Sequence, residues 1–164
     1  MTTASASLTL PSPEATAALA EWLAPRLMPG DVLLLSGPIG AGKTHFARAL
    51  IQARLAAAGL HEDVPSPTFT LVQVYDAGGV EIWHADLYRL THPDEAVELG
   101  LEQAFDTAIC LVEWPDRLGA ATPADALSLR FAATGEDGRR MTATGGDRWA
   151  GLVEALGQWG RQDA

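Results

Sequence analysis

The stretch Val32-Leu33-Leu34-Leu35-Ser36-Gly37-Pro38-Ile39-Gly40-Ala41-Gly42-Lys43-Thr44 (VLLLSGPIGAGKT) decides the fold. Its four consecutive apolar residues read as a strand covered on both faces. Residues 37–44 match G-x-x-x-x-G-K-[ST], the phosphate loop. Phe46, Ala49, Leu50, Ala53 and Leu55 then recur at helical spacing up to Gly59. Glycines at 40 and 42 let successive backbone N–H groups turn inward toward phosphate oxygens. The helix that opens near Lys43 adds the positive end of its dipole, about half an elementary charge. Lys43 is placed to reach β- and γ-phosphates, and the Thr44 hydroxyl to ligate Mg²⁺.

Outward from this core, the pattern predicts one mixed α/β domain over residues 1–164. No repeat or linker interrupts it. The expected architecture is a single-domain P-loop NTPase-like fold, a mixed central sheet flanked by helices. Ser7–Leu10 reads as a short edge strand, and Ser12-Pro13-Glu14 as a helix N-terminus, with Pro25 ending or kinking that helix. Thr68–Tyr75 (TFTLVQVY) alternates, and Ala77-Gly78-Gly79 turns it into a second strand, Val80–Ala85. Pro93-Asp94-Glu95 opens another helix carrying Val97, Leu99 and Leu101. Ile109–Val112 is a second buried strand, Leu127–Ala132 and Arg140–Thr144 a late antiparallel pair, and Trp149–Trp159 a terminal amphipathic helix with Asp147 near its cap.

Composition narrows the function. The 164 residues are 48% apolar, enough for a sizeable core, with 21 acidic against 11 basic residues and a net charge of −10. An unaided nucleic-acid binder usually carries a basic face, so direct gripping of nucleic acid is not expected. A lone cysteine, Cys110, fits a reducing compartment. No basic segment precedes an apolar run near the start, and no run is long enough for a membrane span, so a soluble cytoplasmic protein is expected. The chain holds one lysine, Lys43, against ten arginines, and no asparagine. That excludes the Asn/Thr-Lys-x-Asp motif by which switch proteins read guanine, and the catalytic-loop asparagine of protein kinases. The acidic balance does not oppose a polyanionic ligand. Screening acts over about 8 Å, so remote carboxylates contribute little beside amides, one ammonium and a divalent metal within bonding distance.

A hydrolytic or switching site also needs a carboxylate at a neighbouring strand end, to hold the metal or its water. Asp86 and Glu113 both qualify, and Asp106 is a third, weaker candidate. His84 reads as a strand residue beside the core, and Cys110 as packing. Trp114-Pro115 reads either as an aromatic flap or as a capped strand end. Val64–Thr70 is either a nucleotide-sensing loop or a proline-rich connector.

Four segments, GPIGAGKTHF, SPTFTLVQVY, WHADLYRL and AICLVEWP, together resemble the TsaE family, the small ATPases of bacterial tRNA threonylcarbamoyladenosine biosynthesis. The resemblance runs from about Pro11 to Thr144. It implies that Gly40, Ala41, Gly42, Lys43, Thr44 and His45 wrap the phosphates of ATP. Thr44 and Glu113 would hold Mg²⁺, and Asp86 would orient the metal's water or the attacking water. Thr68 and Thr70 would belong to a first switch-like loop and Trp114 to a second, while Arg140 and Pro13 would add nucleotide contacts. The sequence departs from the family at Pro38, where an acid is usual, and at His45, which replaces a hydroxyl residue.

The resemblance further implies binding to a TsaB–TsaD complex, with tRNA reached only through those partners. Hydrolysis without partners is expected to be slow, because no arginine sits in a finger motif; Arg89 and Arg117 are the candidates. Two rival readings are a small-molecule P-loop kinase and a nucleotide-sensing module without turnover. A short Arg139-Arg140 pair is too little for the arginine-rich lid of such a kinase.

Overall fold

The computed structural model describes residues 3–67 and 69–162. Seven strands form one sheet: β1 (Ala4–Leu10), β2 (Val32–Ser36), β3 (Val72–Ala77), β4 (Val80–Asp86), β5 (Ile109–Glu113), β6 (Leu127–Thr134) and β7 (Gly138–Gly145). Their spatial order is β1-β7-β6-β2-β5-β4-β3. β6, β2, β5 and β4 run parallel at the centre, while β7 and β1 on one side and β3 on the other add antiparallel flanks. The expected mixed sheet flanked by helices is therefore present. The parallel strands all end at the same edge, where ligands bind in open α/β sheets.

Alternation assigns the two faces. Leu33, Leu35, Ile82, Ile109 and Leu111 point into a core shared with α1 (Pro13–Leu23), α2 (Lys43–Ala57) and α5 (Ala150–Gln162). Val32, Leu34, Ala85, Cys110 and Val112 point to the opposite face, packed beside α4 (Leu101–Thr107) and residues such as Leu87 and Leu118. With a period of two, His84 and Asp86 follow Ile82 onto the α2 face, and Glu113 follows Leu111. β4 and β5 are paired with Asp86 directly beside Glu113. The two strand-end carboxylates thus face the start of α2.

Local chemistry sets the boundaries. Ser12 caps α1 by accepting from the Ala15 N–H at 3.1 Å, with proline in the first turn. β3 and β4 are joined by a tight turn in which Gly78 and Gly79 have φ of 68° and 95°, as a two-residue hairpin requires.

Three expectations shift. The strand expected from Thr68 begins at Val72: the Leu71 N–H donates to Pro67 O at 2.7 Å, and Leu71 has φ 69°, so Phe69 and Thr70 lie in a turn. Thr68 itself lies outside the described residues. The helix expected after Pro93 is two short ones, α3 (Asp94–Glu98) and α4, broken at Gly100 with φ 85°. Its residue Val97 is 47% exposed, while Ala96 and Leu101 are buried. Asp147 begins a 3-10 turn that leads into α5.

Candidate nucleotide-binding site

The chain leaves β2 through a loop that only glycine can form at its first position. A Cβ at Gly37 would stand 2.3 Å from the Phe131 carbonyl oxygen, and φ there is 133°. Gly40 and Gly42 have φ of 80° and 102°, values that side chains rarely adopt. No side chain caps the start of α2, so its first-turn N–H groups remain available to an anion. Loop, α2 and the ends of β4 and β5 enclose a cavity of about 630 Å³, within the size range of small-molecule sites.

Lys43, 5% exposed, lies across this cavity. Its ammonium donates to the Gly37 and Pro38 carbonyls and sits 3.6 Å from the centroid of the Trp114 ring. Burial lowers its pKa, opposed by Glu113, Asp86 and Asp116. The Thr44 hydroxyl donates to Glu113 Oε1 at 2.7 Å. The other carboxylate oxygen, Oε2, meets His84 Nε2 at 2.6 Å. Asp86, 6% exposed, accepts from the Tyr88 N–H at 3.1 Å through Oδ1. Trp114, with φ 59°, also packs on Tyr88 with 4.9 Å between ring centroids.

His45 and Pro13 also line the cavity, and His45 Nε2 donates to the Pro13 carbonyl at 2.9 Å, joining the first turn of α2 to the start of α1. The Arg139 guanidinium donates to the Gly40 carbonyl at 3.0 Å and the Gly138 carbonyl at 2.7 Å.

Most of the residues singled out from sequence converge here. Pro13, Gly40, Gly42, Lys43, Thr44 and His45 line the cavity, as do Asp86, Glu113 and Trp114. Ala41 is 1% exposed and packs into the core, so only its backbone belongs to the loop. Arg140 is not among the lining residues; Arg139 is. The reason is strand alternation: on β7, Arg139 shares a face with buried Met141 and Ala143, and Arg140 points the other way. Asp106 lies exposed on α4, not at a strand end. Neither finger candidate lines the cavity: Arg89 lies over the Phe69 ring, and Arg117 donates to the Leu90 carbonyl. Cys110 is fully buried, and burial pushes its thiol up to about 12.

Sequence reading missed the partnership of His84 with Glu113. The signal was the i, i+2 spacing of His84 and Asp86 in the WHAD segment, which puts both on one strand face.

The donor set fits Mg²⁺. A hydroxyl and a carboxylate oxygen converge, with a second carboxylate beside them, all hard ligands. Among the described residues no group of three or more His, Cys, Asp or Glu forms a metal cage. Mg²⁺ is ordinarily held in this way, by few protein oxygens completed by phosphates and water. No described helix is long and apolar enough to cross a membrane.

Residues 10–141 match the family model described as "Threonylcarbamoyl adenosine biosynthesis protein TsaE". The tRNA threonylcarbamoyladenosine biosynthesis protein TsaE of Bacillus subtilis is 37% identical over 147 residues, spanning 88% of this chain and 89% of the relative. The protein of the same description from Rickettsia conorii is 45% identical over 108 residues, 66% of this chain and 60% of the relative. The crystal structure of Bacillus subtilis YdiB superposes with a TM-score of 0.78 at 31% identity, covering 100% of this chain and 99% of that one.

Proposed function

The chain belongs to the TsaE family of tRNA threonylcarbamoyladenosine biosynthesis proteins, and from that premise we propose that it is a magnesium-dependent ATP-binding protein that hydrolyses ATP slowly. In this reading it supports a TsaB–TsaD complex in forming threonylcarbamoyladenosine in tRNA. The observation that carries the nucleotide role is the convergence of three things on one cavity: the α2 start with no side-chain cap beside the glycine loop, the Lys43 ammonium, and the Thr44–Glu113 hydroxyl–carboxylate pair.

Each group has a task that its position supports. First-turn N–H groups of α2, with no side-chain cap to displace, receive phosphate oxygens. Lys43 exchanges its carbonyl partners and the Trp114 ring for the β- and γ-phosphates. Thr44 and Glu113 hold Mg²⁺, which when bound neutralises charge on the phosphate oxygens. Asp86, beside Glu113 at the sheet edge, orients the metal's water or the attacking water. The missing guanine-reading motif points toward adenine as the base.

Slow turnover by the isolated chain is supported by the arginines. Arg139, which lines the cavity, donates to loop carbonyls, and Arg89 and Arg117 lie elsewhere. A negative surface, net −10, agrees with leaving tRNA to the partners.

The test is reconstitution with TsaB and TsaD, following ATP consumption and tRNA modification together. Expected is little ADP from the chain alone, and repeated rounds of modification only when chain, partners and ATP are all present. Multiple turnovers without this chain or without ATP would overturn the reading.

A further inference from the structure

We infer that His84 is a positioning residue for the Glu113 carboxylate, fixing which of its oxygens faces Thr44; this rests on the metal role proposed above for Glu113. His84 is fully buried and Glu113 is 2% exposed. A buried carboxylate needs a donor for each oxygen it hides. Glu113 Oε1 receives the Thr44 hydroxyl at 2.7 Å, and Oε2 meets His84 Nε2 at 2.6 Å. An ionised carboxylate only accepts, so Nε2 carries the hydrogen of this contact.

The backbone explains how the ring gets there. His84 lies beside Leu111 in the β4–β5 register, two residues short of Glu113, and on the same face. Its ring therefore reaches along the sheet to the carboxylate from below, while Thr44 approaches from α2. The second ring nitrogen, Nδ1, is buried and makes no hydrogen bond within the described protein. A core histidine kept for its own polar satisfaction would bond through both nitrogens. This one directs its single bond at a residue of the site.

The consequence is directional. Lys43 lines the same cavity as Glu113, and the Glu113 charge acts on its ammonium. An untethered Glu113 would turn toward that ammonium, pairing with the amine that should receive phosphate and leaving Thr44. With Oε2 held by His84, Oε1 stays turned to the Thr44 hydroxyl. Partners of metal ligands that act in this way typically change metal affinity 10- to 100-fold when removed.

Thermal melting of the parent, His84→Leu and His84→Gln tests this. Each is measured with ATP in EDTA and with ATP under rising Mg²⁺. His84→Leu removes the donor; His84→Gln restores an N–H near the Nε2 position. Expected is an unchanged ATP shift in EDTA for all three. The Mg²⁺ concentration giving half of the metal-dependent shift should rise about ten-fold in His84→Leu and return close to the parent in His84→Gln. Equal Mg²⁺ midpoints in all three, or a His84→Gln protein as impaired as His84→Leu, would overturn the inference while leaving nucleotide binding intact. A parent with no ATP shift under either condition would instead overturn the nucleotide reading itself. Should His84→Leu fail to fold, imidazole ¹⁵N NMR of the unsubstituted protein decides: an Nε2-protonated His84 supports the assignment, and an Nδ1-protonated ring refutes it.

Discussion

The Lys43 ammonium rests 3.6 Å from the centroid of the Trp114 ring, so the residue that follows Glu113 covers the amine of the phosphate loop. Such a contact contributes about 2 kcal/mol when desolvated. Trp114 is held in a left-handed backbone conformation, φ 59°, uncommon for a bulky side chain. A triphosphate that draws the ammonium away removes one of the contacts that hold the ring there. Saturating ATP with Mg²⁺ should therefore change the intrinsic tryptophan emission, and Trp114→Phe should abolish most of that change. Unaltered emission in a parent shown by melting to be saturated would contradict this.

Lys43→Ala should remove most of the ATP-dependent stabilisation. At about 100 times its dissociation constant a ligand stabilises by about 2.7 kcal/mol, which corresponds to roughly 5–10 °C for a domain of this size. The unliganded melting temperature should change little, because the buried ammonium is held at a desolvation cost as well as by its partners. Equal ligand shifts in variant and parent would exclude the phosphate role.

Glu113→Ala and Asp86→Asn should lower turnover more than ATP capture. Both carboxylates sit at the sheet edge beside the phosphate loop, where they act on metal and water rather than on the nucleoside. In kinetic terms kcat falls while the nucleotide dissociation constant moves less. Normal hydrolysis by both variants in the reconstituted system would remove them from the chemistry.

Legibility of the molecule followed the range of the interactions involved. The β2–loop–α2 unit could be read directly, because its glycines and Lys43 answer to backbone geometry and phosphate chemistry within a dozen residues. Asp86 and Glu113 were legible as strand ends, since alternation of Ile82, His84 and Asp86 is local. Their adjacency was not, because it depends on the β4–β5 register, and with it the role of His84 stayed hidden. Arg139 and Arg140 show how one residue of phase matters: only buried Met141 and Ala143 fix which of the pair faces the loop. The late start of β3 had a different cause. Thr, Phe and Thr favour a strand, but the Leu71–Pro67 turn overrides that preference.

Alkaline pH should expose the burial of Cys110. Its thiol is raised from 9.0 to about 12 in the fold. Between those values the unfolded chain has released a proton that the native state retains, so this contribution to stability is complete below pH 9.0 and is lost as pH rises toward 12. The loss is about 1.4 kcal/mol per pH unit. Denaturant titrations should show the parent weakening more steeply above that lower value than Cys110→Ala; parallel curves would contradict it. A thiol reagent should leave the native protein unlabelled until it unfolds.

Because Lys43 is the sole lysine in the chain, its place under an indole has a practical corollary. Amine-selective acylating reagents have one side-chain target here, and it becomes reachable only when the aromatic cover lifts. The speed of that modification, followed by mass spectrometry without any engineered probe, would act as a stopwatch for opening of the cradle in the resting protein.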